Sequence, residues 1–407
     1  MQQRPFDLVL FGASGFTGRL VAEYLLQRYG QDGELRWALA GRNRAKLADL
    51  RRELGAGDSL PLVQADASDP AALAALVAQA RVVITTVGPY QLHGEALARA
   101  CAQAGTDYVD LCGEPLWMAQ MIPLLQPLAA RSGARIVFSC GFDSIPFDLG
   151  VVYLQEEAKA RLGAVCSEVH GLVRVIKGTA SGGTLASGMA TFKAISRDPQ
   201  LARIQADPFA LTPGFRGPTQ PEGEHAAFDE LAQAWTGPFV MAVINTKNVH
   251  RSNALRGHPW GQDFIYSERL WTGPGAAGEK RARRMARQSR LQNALLGFAP
   301  TREFLRRFVL AKPGEGPNAQ ARERGRYELL FIGRTAQGQV LRAVVKGDRD
   351  PGYGSTSKMI SEAALSLLKI DRTQTPGGVW TAGAAMGLAL QRRLQERAGL
   401  TFEVESA

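Results

Sequence analysis

The chain has 407 residues, of which 45% are hydrophobic and 21% charged, a globular balance far from disordered, collagen-like or coiled-coil compositions. At about 100–200 residues per domain this length predicts two or three domains. The 48 basic residues exceed the 38 acidic ones to give a net charge of +10, which points to acidic partners: a phosphorylated cofactor, an acidic carrier protein, an anionic membrane face or nucleic acid.

The first 150 residues alternate between two kinds of segment. Short apolar runs at 6–11 (FDLVLF), 35–40 (LRWALA), 61–65, 81–87 (RVVITTV), 107–111 (DYVDL) and 134–139 (ARIVFS) suit strands covered on both faces. Helices are predicted between them at 16–29, 44–54, 69–80, 94–104 and 116–132. Asp69 and Pro70 form a cap and first position, whereas Pro123 and Pro127 should break or kink the helix that holds them. Strands alternating with helices over short links predict an α/β, doubly wound parallel sheet of Rossmann type. From 151 to 350 the pattern changes to a helix at 151–161, a strand at 167–177, the glycine-rich SGGTLASG at 181–188 with a helix to about 196, a surface excursion at 198–235, and strands at 235–245, 327–333 and 339–346. This predicts a second, α+β domain. The tail from 351 to 407 reads as a helical return, with helices at 357–368 and 379–398. The predicted division is 1–150, 151–350 and 351–407.

The sharpest motif is Gly12-Ala13-Ser14-Gly15-Phe16-Thr17-Gly18, placed between the first strand and the first helix. Gly12 would permit the tight turn, Gly15 the approach of backbone to a pyrophosphate, and Gly18 the packing of helix on strand; the helix start then offers free N–H groups to the anion. A dinucleotide with an unmodified ribose wants an acid at the end of the second strand. Here that strand runs into Arg42, Asn43, Arg44 and Lys46, with no acid between Leu35 and Ala48. A cationic fork suits a 2′-phosphate, so NADP(H) is expected over NAD(H), held by the glycine loop with Arg42, Asn43 and Lys46. Asp66, ending the third strand, is a candidate acceptor from adenine. Val87, Gly88, Pro89 and Tyr90 end the fourth strand and should border the nicotinamide half.

Together, GASGFTG, AGRN, TVGPY, YVDLCGE at 108–114 and CGFDSIPFDLG at 140–150 resemble saccharopine dehydrogenase-like oxidoreductases. SGGTLASG, PGYGSTSKM at 351–359 and the TPGGVWTAGAAMG stretch from Thr375 bring the resemblance closer to the subgroup of trans-acting enoyl reductases, over residues of about 7 to 403. The resemblance implies a Rossmann domain, an inserted α+β domain and a tail returning to the first. It also implies NADPH-dependent reduction of a C=C or C=N bond, with an enoyl or polyketide-type lipid precursor preferred as substrate. In the familiar relatives the final helix starts Thr-Pro; here the pair is Thr381-Ala382. A saccharopine-like amino-acid oxidoreductase, and a non-catalytic dinucleotide-binding protein of lipid surfaces, remain the alternatives.

Reduction of an enoyl thioester needs placement, a proton source and a donor to the developing enolate oxygen. Tyr90 is one candidate, with an aromatic lid over the cofactor as the other reading. Asp143 is a candidate proton relay, or a cap near Pro146. Gly113 and Glu114 would border the cofactor, Glu114 accepting from nicotinamide or ribose or capping the next helix. Cys112 and Cys140 read as small buried residues. Ser181–Gly188 reads as an anion cradle or as tight backbone packing, and Tyr353, Thr356 and Lys358 share that ambiguity. The five histidines never cluster at ligand spacing, so no metal is expected. The four cysteines contain no CxxC pair, which excludes a zinc ribbon or disulfide framework.

The stretch 279–290 (EKRARRMARQSR) holds six basic residues and one acid, followed to 310 by Leu295, Leu296, Phe298, Phe304, Leu305 and Phe308. It reads as a solvated helix, or as a docking face for an acidic carrier protein or an anionic membrane. The expected substrate is a small or carrier-bound acyl group. Nucleic acid is not expected as a partner, and a homodimer is left open by the sequence. With no signal-peptide core and no run of ~18–20 apolar residues, the expected location is cytoplasmic, with a peripheral position at the inner membrane face as a variant.

Overall fold

The structure, a computed structural model, describes residues 4–178, 182–298 and 316–405. Its first half builds one parallel sheet. The strands are β1 (Phe6–Phe11), β2 (Trp37–Gly41), β3 (Leu62–Gln64), β4 (Ala80–Thr85), β5 (Asp107–Val109) and β6 (Arg135–Val137). They are connected by α1 (Phe16–Tyr29), α2 (Arg44–Glu53), α3 (Pro70–Ala78), the short α4 (Tyr90–His93), α5 (Glu95–Ala104) and α6 (Pro115–Ser132). The order β6-β5-β4-β1-β2-β3 puts β1 beside β4, so successive crossovers leave β1 in opposite directions and open a crevice at the strand ends. Phe11 is paired with Ala40 on one side and Thr85 on the other. Leu8, Val9, Leu10, Val82, Val83 and Ile84 are fully buried, as continuous apolar runs in a sheet covered on both faces must be. Asn43 caps α2 through the Lys46 N–H, and Asp69 caps α3 through the N–H groups of Ala71 and Ala72, with Pro70 next.

The chain then continues through α7 (Ile145–Leu162), β7 (Cys166–Lys177), α8 (Gly182–Arg197), α9 (Leu201–Ala206), β8 (Ala227–Asp229), β9 (Ala234–Pro238) and α10 (Ala242–Leu255). After these come β10 (Ile265–Gly273), α11 (Gly275–Gly297), α12 (Ala319–Arg324), β11 (Arg326–Thr335) and β12 (Val340–Gly347). One π-helical turn at Pro351–Ser355 leads into α13 (Thr356–Lys369), followed by β13 (Gly378–Trp380), α14 (Ala382–Ala385), α15 (Gly387–Arg397) and β14 (Leu400–Val404). A second sheet runs β14-β12-β11-β7-β10-β9-β8. Only its β7–β10 pair is parallel. Helix α7 packs against this sheet, while α13 packs against α1, β4 and β5 of the first. The α/β sheet, the mixed second layer and the return to the first sheet are thus all present.

Several expectations need correction. Helix α6 runs unbroken through Pro123 and Pro127. Both prolines are exposed while Met118, Met121, Ile122, Leu125 and Ala129 form the buried stripe, so the carbonyls left without a donor at Ala119 and Pro123 are on the side that water reaches. The strand expected over 235–245 ends at Pro238, and 242–245 already belong to α10. The helix expected from Val379 is instead β13, which pairs parallel to β6 at the sheet edge before α14 begins. Thr381 caps that helix through the Ala384 N–H. The surface excursion at 198–235 contains α9 and β8, and β10 and β14 had no predicted counterpart. Phe304, Leu305, Phe308 and Ser181 lie outside the described residues. Among the described residues no helix is long and apolar enough to cross a membrane.

Candidate active site

The glycine loop sits at the mouth of the crevice. Gly12 has φ +86°, and a Cβ there would lie 2.7 Å from the Val87 side chain and 2.9 Å from Thr86 Oγ1. Thr86 Oγ1 also donates to the Gly12 carbonyl at 3.2 Å. The β1 and β4 loops therefore close on each other, with glycine the residue that fits between them. A Cβ on Gly18 would come within 2.2 Å of the Gly12 carbonyl oxygen, so the third glycine is what lets α1 start this close to the strand. Gly15 is the extended N-cap of α1. No side chain caps that end and no acid lies in its first turn, leaving its N–H groups and positive dipole end for an anion. Ala13 is buried, Ser14 is exposed, and Phe16 and Thr17 are half-buried. Phe16 stacks edge-on against Tyr353 at 4.7 Å, and the Arg322 guanidinium lies over its ring.

Arg42, Asn43 and Lys46 are all exposed at the tip of β2. The Asn43 side chain is engaged in the α2 cap, accepting from the Lys46 N–H at 3.0 Å. Arg44 donates to the Leu62 carbonyl, which leaves the Arg42 guanidinium and the Lys46 ammonium as the exposed cations of this tip. Asp66 accepts from the N–H and hydroxyl of Ser68 at 2.9 and 2.7 Å, and the Ser68 backbone bond holds its carboxyl below the usual range.

The other side of the crevice is bordered by the loops after β4, β5 and β6. Val87, Gly88 and Pro89 line the rim, and the buried Glu114 carboxylate holds the start of α4. It accepts from the N–H groups of Tyr90 at 2.9 Å and Gln91 at 2.8 Å, and from Ser187 Oγ at 2.6 Å. Glu114 thus caps the preceding short helix rather than the following one, and Gly113 beside it is half-buried. The Tyr90 hydroxyl, a candidate donor to an enolate, points into the protein. It donates to the Thr85 carbonyl at 3.2 Å and accepts from the Leu111 N–H at 3.0 Å, and its ring lies 5.9 Å from that of Trp117. This side chain braces the β4 loop against β5.

Asp143 lies on the β6–α7 loop and is half-buried. Burial pushes its carboxyl up to about 6. Cys112 and Cys140 are buried and their thiols are pushed up by burial, which keeps them protonated and inert. Thr356 Oγ1 accepts from the Phe142 N–H at 3.0 Å and donates to the Pro351 carbonyl at 2.7 Å. Lys358 pairs with Asp348. Both residues are structural ties in this arrangement.

The second sheet reaches the crevice through residues that spacing did not reveal. Asn248 Nδ2 donates to Ser144 Oγ at 2.8 Å, and Asn245 Nδ2 donates to Glu268 Oε2 at 2.8 Å. These side chains lie on a helix buried on all sides, where the expected apolar signal is missing. Ser187 falls within the SGGTLASG segment that the sequence singled out. The buried arginines of this half, Arg251 and Arg269, donate to backbone carbonyls of Leu211, Val379, Glu222 and His225, so neither is available to clamp a substrate carboxylate.

Residues 8–137 match the family model of the saccharopine dehydrogenase NADP-binding domain. A Mycobacterium tuberculosis protein is 42% identical over 96% of each chain. Proteins named trans-acting enoyl reductase are 40% identical in Mycobacterium ulcerans, over 97% of this chain and 96% of that one, and 39% identical in Mycobacterium bovis over 96% of each. Among solved structures, the apo form of the L-Glu-forming saccharopine dehydrogenase of Saccharomyces cerevisiae has the same fold. It superposes with a TM-score of 0.50 at 14% identity, covering 98% of this chain and 100% of that one.

Proposed function

The chain belongs to the saccharopine dehydrogenase-like family of trans-acting enoyl reductases, and we propose on that premise that it reduces the C=C bond of a carrier-bound enoyl thioester on the way to a complex lipid. It is an NADP(H)-dependent oxidoreductase. What carries the finer reading is the near full-length identity to relatives bearing that name. In the proposed division of labour, residues 1–150 hold the cofactor, 151–350 meet the substrate and 351–407 tie the two together.

The α1 N-terminus and the backbone of residues 12–18 take the pyrophosphate, and Arg42 with Lys46 takes the 2′-phosphate. Held there, NADPH would supply the hydride that the β-carbon of the enoyl group takes up. The α-carbon then needs a proton, and Asp143 is the group we assign to it: its carboxyl meets no donor among the described residues, and burial keeps part of it protonated near neutrality. Tyr90 and Glu114, both buried, fix the loops after β4 and β5 that border the reacting carbons. NADPH oxidation in the presence of crotonyl-pantetheine or a longer enoyl thioester, with formation of the saturated product, tests the reading. Turnover of saccharopine in place of any enoyl thioester would replace it with the amino-acid reaction.

A further inference from the structure

Helix α11 presents two opposed faces. Gly278, Ala282 and Ala286 are buried, and the helix packs against β9; these small residues let it lie close to the sheet. With about 100° of turn per residue, Lys280, Arg283, Arg284 and Arg287 share an arc of about 100° on the opposite side, and all four are exposed. They line a shallow groove of about 520 Å3 together with Glu279 and Gln288. Within it Glu279 pairs with Arg283. Farther along the same face comes Leu291, 62% exposed. Arg281 points elsewhere, donating to the Thr272 carbonyl. Helix α11 also packs against α8, and α8 carries the Ser187 that touches Glu114 at the crevice. Helix α8 thus touches both α11 and the Glu114 end of the crevice.

We propose that this face of α11 docks the acidic carrier protein that delivers the acyl group, an inference that rests on the reductase reading above. Closely spaced arginines in one stripe match a row of carboxylates on a partner helix. A carrier seated there would sit on a helix that is in contact, through α8, with the Glu114 end of the crevice its thioester arm must reach. A membrane surface fits less well: the side of α11 opposite the arginines is packed on β9, and the exposed apolar residues Leu291, Leu295 and Phe298 come only at the far end of the helix, beyond the cationic stripe rather than along it.

The test uses the full chain and the triple variant R283E/R284E/R287E, with the milder R284Q/R287Q as a second. The probes are an isolated acidic acyl carrier protein charged with a crotonyl group, and uncharged crotonyl-pantetheine. The triple variant should raise KM for the carrier-bound substrate by about tenfold or more and leave crotonyl-pantetheine within about twofold, and the gap should narrow as salt shortens the Debye length from about 10 Å at 0.1 M. R284Q/R287Q should move the same way by less. Direct titration of the carrier reads docking without turnover: tight binding by the wild type that the triple variant loses supports the proposal even if no thioester is reduced, in which case it is the reductase reading that fails. Equal KM changes for both substrates, or unaltered carrier binding, would overturn it. So would wild-type retention on phosphatidylcholine vesicles with roughly 30% phosphatidylglycerol in the absence of carrier binding.

Discussion

The Glu114 carboxylate accepts from the Ser187 hydroxyl at 2.6 Å, joining the β5–α6 loop of the first sheet to helix α8 of the second half. The same carboxylate holds two backbone N–H groups at the start of α4. Glu114→Ala would leave those buried donors unpaired and should cost about 2–4 kcal/mol of stability. Ser187→Ala should cost about 1 kcal/mol or less and act on KM for the acyl substrate more than on NADPH binding. Denaturant melts and NADPH titration separate the two.

Gly18→Ala places a methyl group 2.2 Å from the Gly12 carbonyl oxygen. Backbone faces backbone there, so neither side can swing away. The loop must shift, at about 1–3 kcal/mol, and NADPH affinity should fall by about tenfold or more as read by nicotinamide fluorescence.

Arg42→Ala should weaken NADPH by about tenfold or more and leave NADH nearly unchanged, since only the former has a 2′-phosphate for the guanidinium to meet. Equal losses for the two cofactors in isothermal titration would assign Arg42 to the surface instead.

Burial raises the Asp143 carboxyl to about 6, so its proton is present below that pH and lost above it. If it supplies the α-carbon, kcat should decline as pH climbs through about 6. Asp143→Asn should abolish that limb while lowering kcat by roughly 10²–10⁴-fold. A variant with unchanged kcat and pH profile would remove Asp143 from the chemistry.

His170 lies between two carboxylates, with Nδ1 at 2.8 Å from Asp229 and Nε2 at 2.9 Å from Glu168. Burial alone would lower its pKa, but the hydrogen bonds and charges of Asp229 and Glu168 outweigh that and raise it above 6.5. The folded state thus holds the proton more tightly than the unfolded one. The stabilisation is complete below pH 6.5 and fades as pH rises through the raised value. His170→Gln should flatten the stability profile above pH 6.5 in urea melts.

Much of this was legible in the residues. The parallel sheet announced itself in uninterrupted apolar runs such as FDLVLF and RVVITTV, because strands covered on both faces need no alternation. The glycine loop carried its own spacing. Less was visible in α10, where Asn245, Asn248, Arg251 and Ser252 are buried together: a helix whose buried polar groups bond to other elements, to Glu268, Ser144, the Leu211 carbonyl and Asp148, has no amphipathic stripe to read. Glu114 and Ser187 are 73 positions apart, and no local pattern pairs them. Pro123 and Pro127 misled because a proline's cost in a helix depends on which side faces water, and that is decided by tertiary packing.

Within 27 positions near its end the chain enters both sheets, β13 lying against β6 and β14 against β12. During synthesis, therefore, the first sheet lacks its last strand until residue 380 has left the ribosome, and the second until residue 404 has. A stop before residue 378 would leave β6 and β12 uncovered at once, and such a product should be cleared by proteases or aggregate rather than persist as a shortened enzyme.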